Sequence, residues 1–288
     1  MRILLTGAGG QLGRALQVAL GRHQLIALER RELDITDPAA VREALRRHRP
    51  ELVLNAAAYT RVDGAESEPE AAFAVNAEGP RHLAKASAAG GIALLHMSTD
   101  YVFDGTANCP YDESAPANPR SVYGASKLAG EQAVREHNPR HLIVRTAWLY
   151  HTVGHNFPTT MLALAGRGEV RVVDDQRGSP TYAPHLTAAI ARLIESGAAG
   201  IYHLAGSGAA SWYELACELF RRCGIDTPVI PVGSAAFPRP AERPRYSVLT
   251  SIHRAEIELP PWREGVASFA RALRSRAEGP FAETPQPG

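Results

Sequence analysis

Cysteine is scarce in this chain: Cys109, Cys217 and Cys223 are the only three, an odd number with no CxxC spacing and no histidine pair nearby. That argues against a disulfide framework and against a zinc site, and a reducing cytoplasm is the expected location. A surplus of charge is missing too. The 31 Lys and Arg residues offset 30 Asp and Glu to leave a formal net charge of +1. No bulk attraction to nucleic acid or to a membrane surface is therefore expected, and an anionic ligand has to be caught by a local site. No apolar run approaches the ~20 residues of a membrane span, and the start has no charged leader, apolar core and cleavage site. The expectation is a soluble, unprocessed protein. With 288 residues and 45% hydrophobic content, there is enough material for one large domain or for a large and a small one.

Short apolar runs alternate with helical periodicity, the pattern of repeated βαβ units. Residues 3–6, 25–28, 52–55, 93–98 and 142–145 read as strands, and 11–20, 38–47, 70–89 and 123–138 as helices with one apolar face. Past residue 145 glycines punctuate the pattern and Gln176-Arg-Gly-Ser-Pro-Thr181 is loop chemistry. Helices are expected again at 184–196 and 212–223, around a strand at 201–204. The predicted fold is α/β, a Rossmann-like doubly wound parallel sheet with a smaller C-terminal substrate-binding portion. Residues 1–148 form the dinucleotide-binding domain, and 149–276 are mainly substrate-binding, with some elements returning to the first sheet. Residues 277–288, rich in proline, form a flexible tail.

Gly7, Gly10 and Gly13 stand between the first strand and the first helix. Glycine there serves a tight turn, the approach of backbone to a pyrophosphate, and close packing of helix on sheet. The helix start then offers N–H groups to the anion. Glu29, at the end of the second strand, suits a ribose 2′-hydroxyl, whereas Arg30 beside it suits a 2′-phosphate. NADPH or NADH is thus the expected cofactor, with the choice open. Asp34 and Ile35 fall where a loop can touch the adenine, and the small residues Ala56, Ala57 and Ala58 let a dinucleotide lie across the sheet edge.

Tyr123 and Lys127 are four residues apart on a predicted helix and share a face. Reducing a ketone needs a proton on oxygen as well as a hydride on carbon. A free phenol near pKa ~10 holds its proton tightly, and a neighbouring ammonium is expected to lower that value. Thr99, in Ser98-Thr-Asp100 at the end of the fourth strand, can donate to the same carbonyl oxygen. The residues alone lead to a nicotinamide-linked carbonyl or alcohol oxidoreductase.

The set of motifs goes further. Thr6-Gly-Ala-Gly-Gly-Gln-Leu-Gly13, Asn55-Ala-Ala-Ala-Tyr-Thr60, Val62-Asp-Gly-Ala-Glu-Ser67, Ser98-Thr-Asp-Tyr-Val-Phe-Asp-Gly105, Tyr123-Gly-Ala-Ser-Lys127, Arg145-Thr-Ala-Trp148, Asn156-Phe157, Gln176 to Thr181 and Arg243-Pro-Arg-Tyr-Ser-Val-Leu249 run almost the whole length. With them the chain resembles the extended short-chain dehydrogenase/reductases, in the branch that reduces dTDP-linked 4-keto-6-deoxy sugars. The resemblance implies that Gly10, Gln11 and Leu12 contact the cofactor diphosphate, with Glu29, Asp34, Ile35 and Ala56 to Ala58 around the adenosine. It implies that Lys127 holds the nicotinamide ribose, that Tyr123 is the proton donor, and that Thr99, Asp100, Tyr123 and Trp148 line the sugar site. Some relatives bind Mg2+ at a dimer contact through an acidic residue of the first helix; here that stretch reads Gly13-Arg-Ala-Leu16, so no metal ligand is assigned and a monomer and a homodimer both stay open. The rival readings are a nucleotide-sugar epimerase or 4,6-dehydratase, and a non-catalytic regulatory protein like the regulatory subunit of methionine adenosyltransferase. Dehydratases usually follow the Thr-Asp pair with Glu, and Tyr101 holds that place here.

Overall fold

The structure, a computed structural model, describes residues 1–253 and 257–277; of the tail expected over 277–288, Ala277 instead ends the last helix and the rest lies outside the described residues. Six strands form one parallel sheet: β1 (Arg2–Thr6), β2 (Gln24–Leu28), β3 (Leu52–Asn55), β4 (Ala93–Thr99), β5 (His141–Thr146) and, from the second half of the chain, β10 (Gly200–His203). Their spatial order is β2-β1-β3-β4-β5-β10, every neighbour parallel. The chain leaves β1 toward one side and returns at β3 on the other. That reversal opens a crevice at the carboxyl ends of β1 and β3, where ligands of such sheets bind.

Side chains of period two explain why both faces are buried. Leu5, Leu54, Leu95 and Val144 pack with Leu16 of α1 (Gln11–Ala19) and with Leu186 and Ile190 of α8 (Ala183–Ser196). Leu4, Val53, Leu94 and Ile143 pack on the opposite face, against Val41 of α2 (Pro38–His48), Leu83 of α5 (Gly79–Ala89) and Val134 of α6 (Val122–His137). Asp37 caps α2, accepting from the Ala39 and Ala40 N–H groups at 2.7 and 3.2 Å, with Pro38 next to it.

The helix expected over 70–89 is instead three pieces. α4 (Pro69–Phe73) runs into a π-helical turn, Ala74–Glu78, and then into α5. The buried Asn76 sits in that turn. Its Oδ1 accepts from Tyr59 N at 2.8 Å, and its Nδ2 donates to Tyr59 O and to Ser126 Oγ, each at 3.0 Å. A π turn presents one side chain out of helical phase, and here that side chain ties the loop after β3 to α6.

The remaining elements make a second, smaller core. β6 (Leu149–Tyr150) pairs parallel with β9 (Thr181–Tyr182), β7 (Val170–Val173) parallel with β12 (Val229–Val232), and β8 (Arg177–Gly178) antiparallel with β11 (Ala210–Ser211). Leu215 and Phe220 of α9 (Trp212–Cys223) and Trp262 and Phe269 of α10 (Trp262–Ala277) fill it, together with Tyr150 and Met161. α7 (Phe157–Leu164) is held by a capping box between Asn156 and Thr159.

Candidate active site

The glycine turn fits the anion for which its spacing argues. Gly7 has φ +70°, and a Cβ there would lie 2.5 Å from Ala57 N, so the turn passes against the Ala56-Ala57 backbone with no room for a side chain. A Cβ at Gly13 would overlap the Gly7 carbonyl, so α1 can start this close to β1 only with glycine. α1 has no side-chain cap and no acidic residue in its first turn. Its leading N–H groups are left for a ligand, the arrangement that receives a diphosphate.

Around the turn the expected residues divide. The Glu29 carboxylate faces Gly9, where an added Cβ would stand 3.1 Å from Oε1, and Arg31 Nε lies 3.5 Å from Glu29 Oε2. Arg30 is 81% exposed and reaches Asp34 Oδ2 at 3.4 Å. Asp34 Oδ1 accepts from Thr36 N at 3.0 Å and from Thr36 Oγ1 at 2.8 Å, and the Thr36 backbone bond leads in holding its carboxyl below the usual range. The Ile35 side chain is buried in the core against Gly79, and its carbonyl meets His82 Nδ1 at 3.2 Å. Gln11 is committed elsewhere: its Nε2 donates to Leu149 O at 3.1 Å and its Oε1 accepts from Asn156 Nδ2 at 2.8 Å. Its side chain joins the glycine turn to the second half of the chain. Leu12 packs on the α1 side of the core, as does Ala56, whereas Ala57 packs on the α5 side.

A buried polar line runs under this crevice. Thr6 Oγ1 donates to Asn55 Oδ1 at 2.6 Å, the same oxygen accepts from Ala57 N at 3.2 Å, and Asn55 Nδ2 meets His96 Nδ1 at 3.0 Å. Burial holds His96 well below its ordinary value, with the Lys127 charge adding to the effect, so the ring is neutral. Asn55 donates to Nδ1, which places the proton on Nε2. The sequence shows Asn55 in a run of small residues but not its partner in the next strand.

At the ends of β4 and the start of α6 the expected catalytic groups come together. Ser121 caps α6, accepting from Gly124 N at 3.1 Å, and sets the first turn, in which Tyr123 lies. A Cβ at Gly124 would overlap Tyr101 O, so the helix start rests directly on the chain after β4. Thr99 Oγ1 donates to Asp100 Oδ1 at 3.0 Å and accepts from Tyr101 N at 3.2 Å, and the Thr99 hydroxyl favours the Tyr123 phenolate. Lys127 is 3% exposed, and its Nζ donates to Met97 O at 2.6 Å. Burial pulls Lys127 down to about 8, with the Glu131 carboxylate one turn on opposing. Burial pushes the Tyr123 phenol up to about 12, with the Thr99 hydrogen bond opposing and the Asp100 charge adding. The ammonium expected to lower the phenol value is not among the groups that move it here: Lys127 serves the Met97 carbonyl instead. Asp100 is 2% exposed, and its burial raises its carboxyl to about 6 against the buried Ser247 and Thr99 hydroxyls.

Two residues outside the expected set hold α6 in place. Glu131 and Arg145 form a buried bidentate pair, Nε to Oε1 at 2.8 Å and Nη2 to Oε2 at 2.6 Å, tying α6 to β5 beside Lys127. The Arg145 guanidinium also lies over the Phe103 ring at 5.2 Å. A signal for Glu131 exists in the sequence, since it repeats the four-residue step from Tyr123 to Lys127 on the same helix face. Trp148, after β5, has its ring stacked on Trp212. Tyr101 meets Tyr123 edge-on at 5.5 Å, and burial pushes its phenol above the ordinary range. Among the described residues no group of three or more His, Cys, Asp or Glu side chains stands together to hold a metal ion, and no helix is long and apolar enough to cross a membrane.

Comparison with known proteins adds an independent line. Residues 1–275 match the family described as RmlD substrate binding domain. The chain is 49% identical over 292 residues to a dTDP-4-dehydrorhamnose reductase of Streptomyces griseus, covering 97% of this chain and 96% of that one. It is 46% identical over 286 residues to the enzyme of the same name from Mycobacterium tuberculosis, covering 96% and 93%. A solved dTDP-4-dehydrorhamnose reductase from Bacillus anthracis, in complex with NADP, superposes with a TM-score of 0.92 at 39% identity, covering 94% of this chain and 99% of that one.

Proposed function

Because the chain belongs to the RmlD substrate binding domain family, we propose that it is an NAD(P)H-dependent reductase that converts the C4 ketone of dTDP-4-dehydro-β-L-rhamnose to the alcohol of dTDP-L-rhamnose. The single observation that carries this reading is the joint placement of Thr99, Tyr123 and Lys127 at the carboxyl edge of β4, on the same sheet edge as the glycine turn at the end of β1. The bound nicotinamide supplies the hydride.

The chain's own residues supply the rest. The first-turn N–H groups of α1 would take the diphosphate, and Lys127, whose Nζ donates to Met97 O, would hold the nicotinamide ribose. Tyr123 keeps its proton at neutral pH, since burial has raised it, and gives that proton to the sugar oxygen as charge develops there. Thr99 steers the same oxygen, and Asp100 and Trp148 line the sugar site. A cavity of about 720 Å³, lined among others by Phe237, Arg239, Arg243 and Arg245 together with Asp104 and Glu242, has room for the dTDP portion; its Arg243, paired with Asp63 at 2.8 Å, lies over the Tyr101 ring at 6.0 Å. Tyr101 argues against the dehydratase reading, because it stands where dehydratases usually carry the glutamate of the elimination step. Cofactor choice belongs to Glu29 and Arg30, which serve NADH and NADPH respectively.

The test mixes purified protein, NADPH or NADH, and dTDP-4-dehydrorhamnose, and follows cofactor oxidation and sugar product in the same tube. One reduced cofactor consumed per sugar reduced is expected. Sugar turnover far in excess of cofactor loss would promote the epimerase reading, and no turnover with either cofactor would promote the regulatory one.

A further inference from the structure

The segment from Gln176 to Thr181 carries none of the groups assigned above, yet much of it is built around Trp148. Trp148 has φ 44°, a left-handed backbone that a bulky residue adopts only when its surroundings impose it. Thr181 N donates to Trp148 O at 3.1 Å, at the start of the β6–β9 pairing. A Cβ at Gly178 would lie 2.5 Å from the Trp148 indole nitrogen, so the ring occupies the space a side chain would need. The Trp212 ring stacks on it with centroids 3.4 Å apart and planes 2° from parallel.

Trp212 is itself held on three sides. It is the first residue of α9, enclosed by the capping box between Ser211 and Glu214. Its Nε1 donates to Gln176 Oε1 at 3.2 Å, and Phe157 leans on its ring at 4.7 Å. Gly178 and Ala210 are register partners in the β8–β11 pair, so the strand carrying Gly178 and the helix carrying Trp212 are fixed to each other. One short loop thus provides the gap, the carbonyl partner and the hydrogen bond that together hold two indoles as one stacked pair.

We propose that Trp212 and Gly178 are positioning residues for the sugar: they fix the Trp148 indole as a preformed apolar wall that selects a 6-deoxy hexose. Such a sugar presents C–H groups and a methyl where an ordinary hexose carries a hydroxymethyl group, and a rigid aromatic plane fits that face. A ring already held in its binding position loses no rotamer freedom when the sugar arrives. The inference rests on the reading of Trp148 as a sugar-lining residue.

The experiment measures dTDP-L-rhamnose and dTDP binding by calorimetry, and steady-state kinetics, for the full-length wild type, W148A, W212A, W212F and G178A. In W212A and G178A the Kd of dTDP-L-rhamnose and the KM of the sugar substrate should rise roughly five- to tenfold, with dTDP and NADPH binding changed less than about twofold. W148A should lose at least as much, and W212F, which keeps a smaller ring, should recover part of the loss. Indole emission should change on adding dTDP-L-rhamnose but not dTDP, and that response should vanish in W148A and shrink in G178A. If W148A weakens sugar binding while W212A and G178A do not, the positioning role is overturned and the site reading stands. If W148A also binds like wild type, the reading of Trp148 falls and the proposal with it. Equal losses for dTDP and dTDP-L-rhamnose in W212A would mark a general disturbance of folding and overturn the proposal as well; should G178A fail to fold, the comparison of W212A with W212F decides.

Discussion

Replacing Lys127 with methionine should stabilise the cofactor-free protein at neutral pH while ending its activity. The side chain is 3% exposed, and burial pulls its ammonium from 10.5 to about 8. The unfolded chain keeps this lysine protonated up to its ordinary value, whereas the folded protein releases the proton near 8. Between those values the unfolded state binds more protons, so wild-type stability rises with pH across that window, and below about 8 the full cost of the buried charge is present. At about 1.4 kcal/mol for each pH unit, the interval is worth roughly 3 kcal/mol. Methionine has a similar length and no charge. It also leaves Met97 O without its 2.6 Å donor, a loss of about 1 kcal/mol. The net expectation is a gain of roughly 2 kcal/mol at pH 7, a sizeable part of the ~5–15 kcal/mol that holds a typical fold. Urea unfolding of wild type and K127M without cofactor, at neutral pH and again near pH 10.5, measures it. The gain should fade at the higher pH. A variant no more stable than wild type at pH 7, with a difference that ignores pH, would refute the reasoning.

Three further outcomes follow from the same geometry. Tyr123→Phe removes the proton donor and leaves the turn at Gly7 untouched, so turnover should fall by roughly 10²–10⁴ with NADPH binding nearly unchanged, as stopped-flow and calorimetry would read it; retention of most of the activity with chemistry rate-limiting would end the assignment. Glu29→Ala should weaken NADH far more than NADPH, and equal losses in KM for both would show that Glu29 does not read the 2′ position. Glu131→Gln strands the buried Arg145 guanidinium, at an expected cost of about 3–5 kcal/mol in a denaturant melt, whereas the double variant Glu131→Leu with Arg145→Met should recover most of it because the guanidinium leaves together with its carboxylate; additive losses in the double variant would contradict this.

The parts of this molecule that were legible in the sequence are those dictated by local chemistry. The strands 3–6 and 52–55 and the glycines at 7, 10 and 13 follow from side-chain period and from the absence of a Cβ, and neither depends on what lies far away in the chain. The shared face of Tyr123 and Lys127 is likewise a property of one helix. What stayed hidden depends on partners distant in sequence. Asn76 breaks the helix over 70–89 because its amide is needed at Tyr59 and Ser126, and nothing in the local propensity of Ala-Val-Asn-Ala announces that. Gln11 looked free for a ligand, and its side chain is occupied by Leu149 and by Asn156, 145 positions away.

The same limit explains the one piece of chemistry that the sequence reading placed wrongly. A phenol one helical turn from an ammonium invites the conclusion that the charge lowers the phenol's pKa, and in water-exposed helices that sign is right. Here both groups are withdrawn from solvent, and burial penalises whichever form is charged: it drives Lys127 down to about 8 and Tyr123 up to about 12. At neutral pH the phenol therefore carries its proton and the lysine is still mostly charged. An acid of this kind does not need a lowered resting pKa. The alkoxide that forms as hydride reaches C4 is a far stronger base than the phenolate, so the proton moves downhill at the moment it is needed. Catalytic strength at Tyr123 then comes from where Thr99 and the start of α6 hold it, which is why the capping of that helix by Ser121 and its anchoring through Glu131 and Arg145 matter to the chemistry as much as the phenol itself.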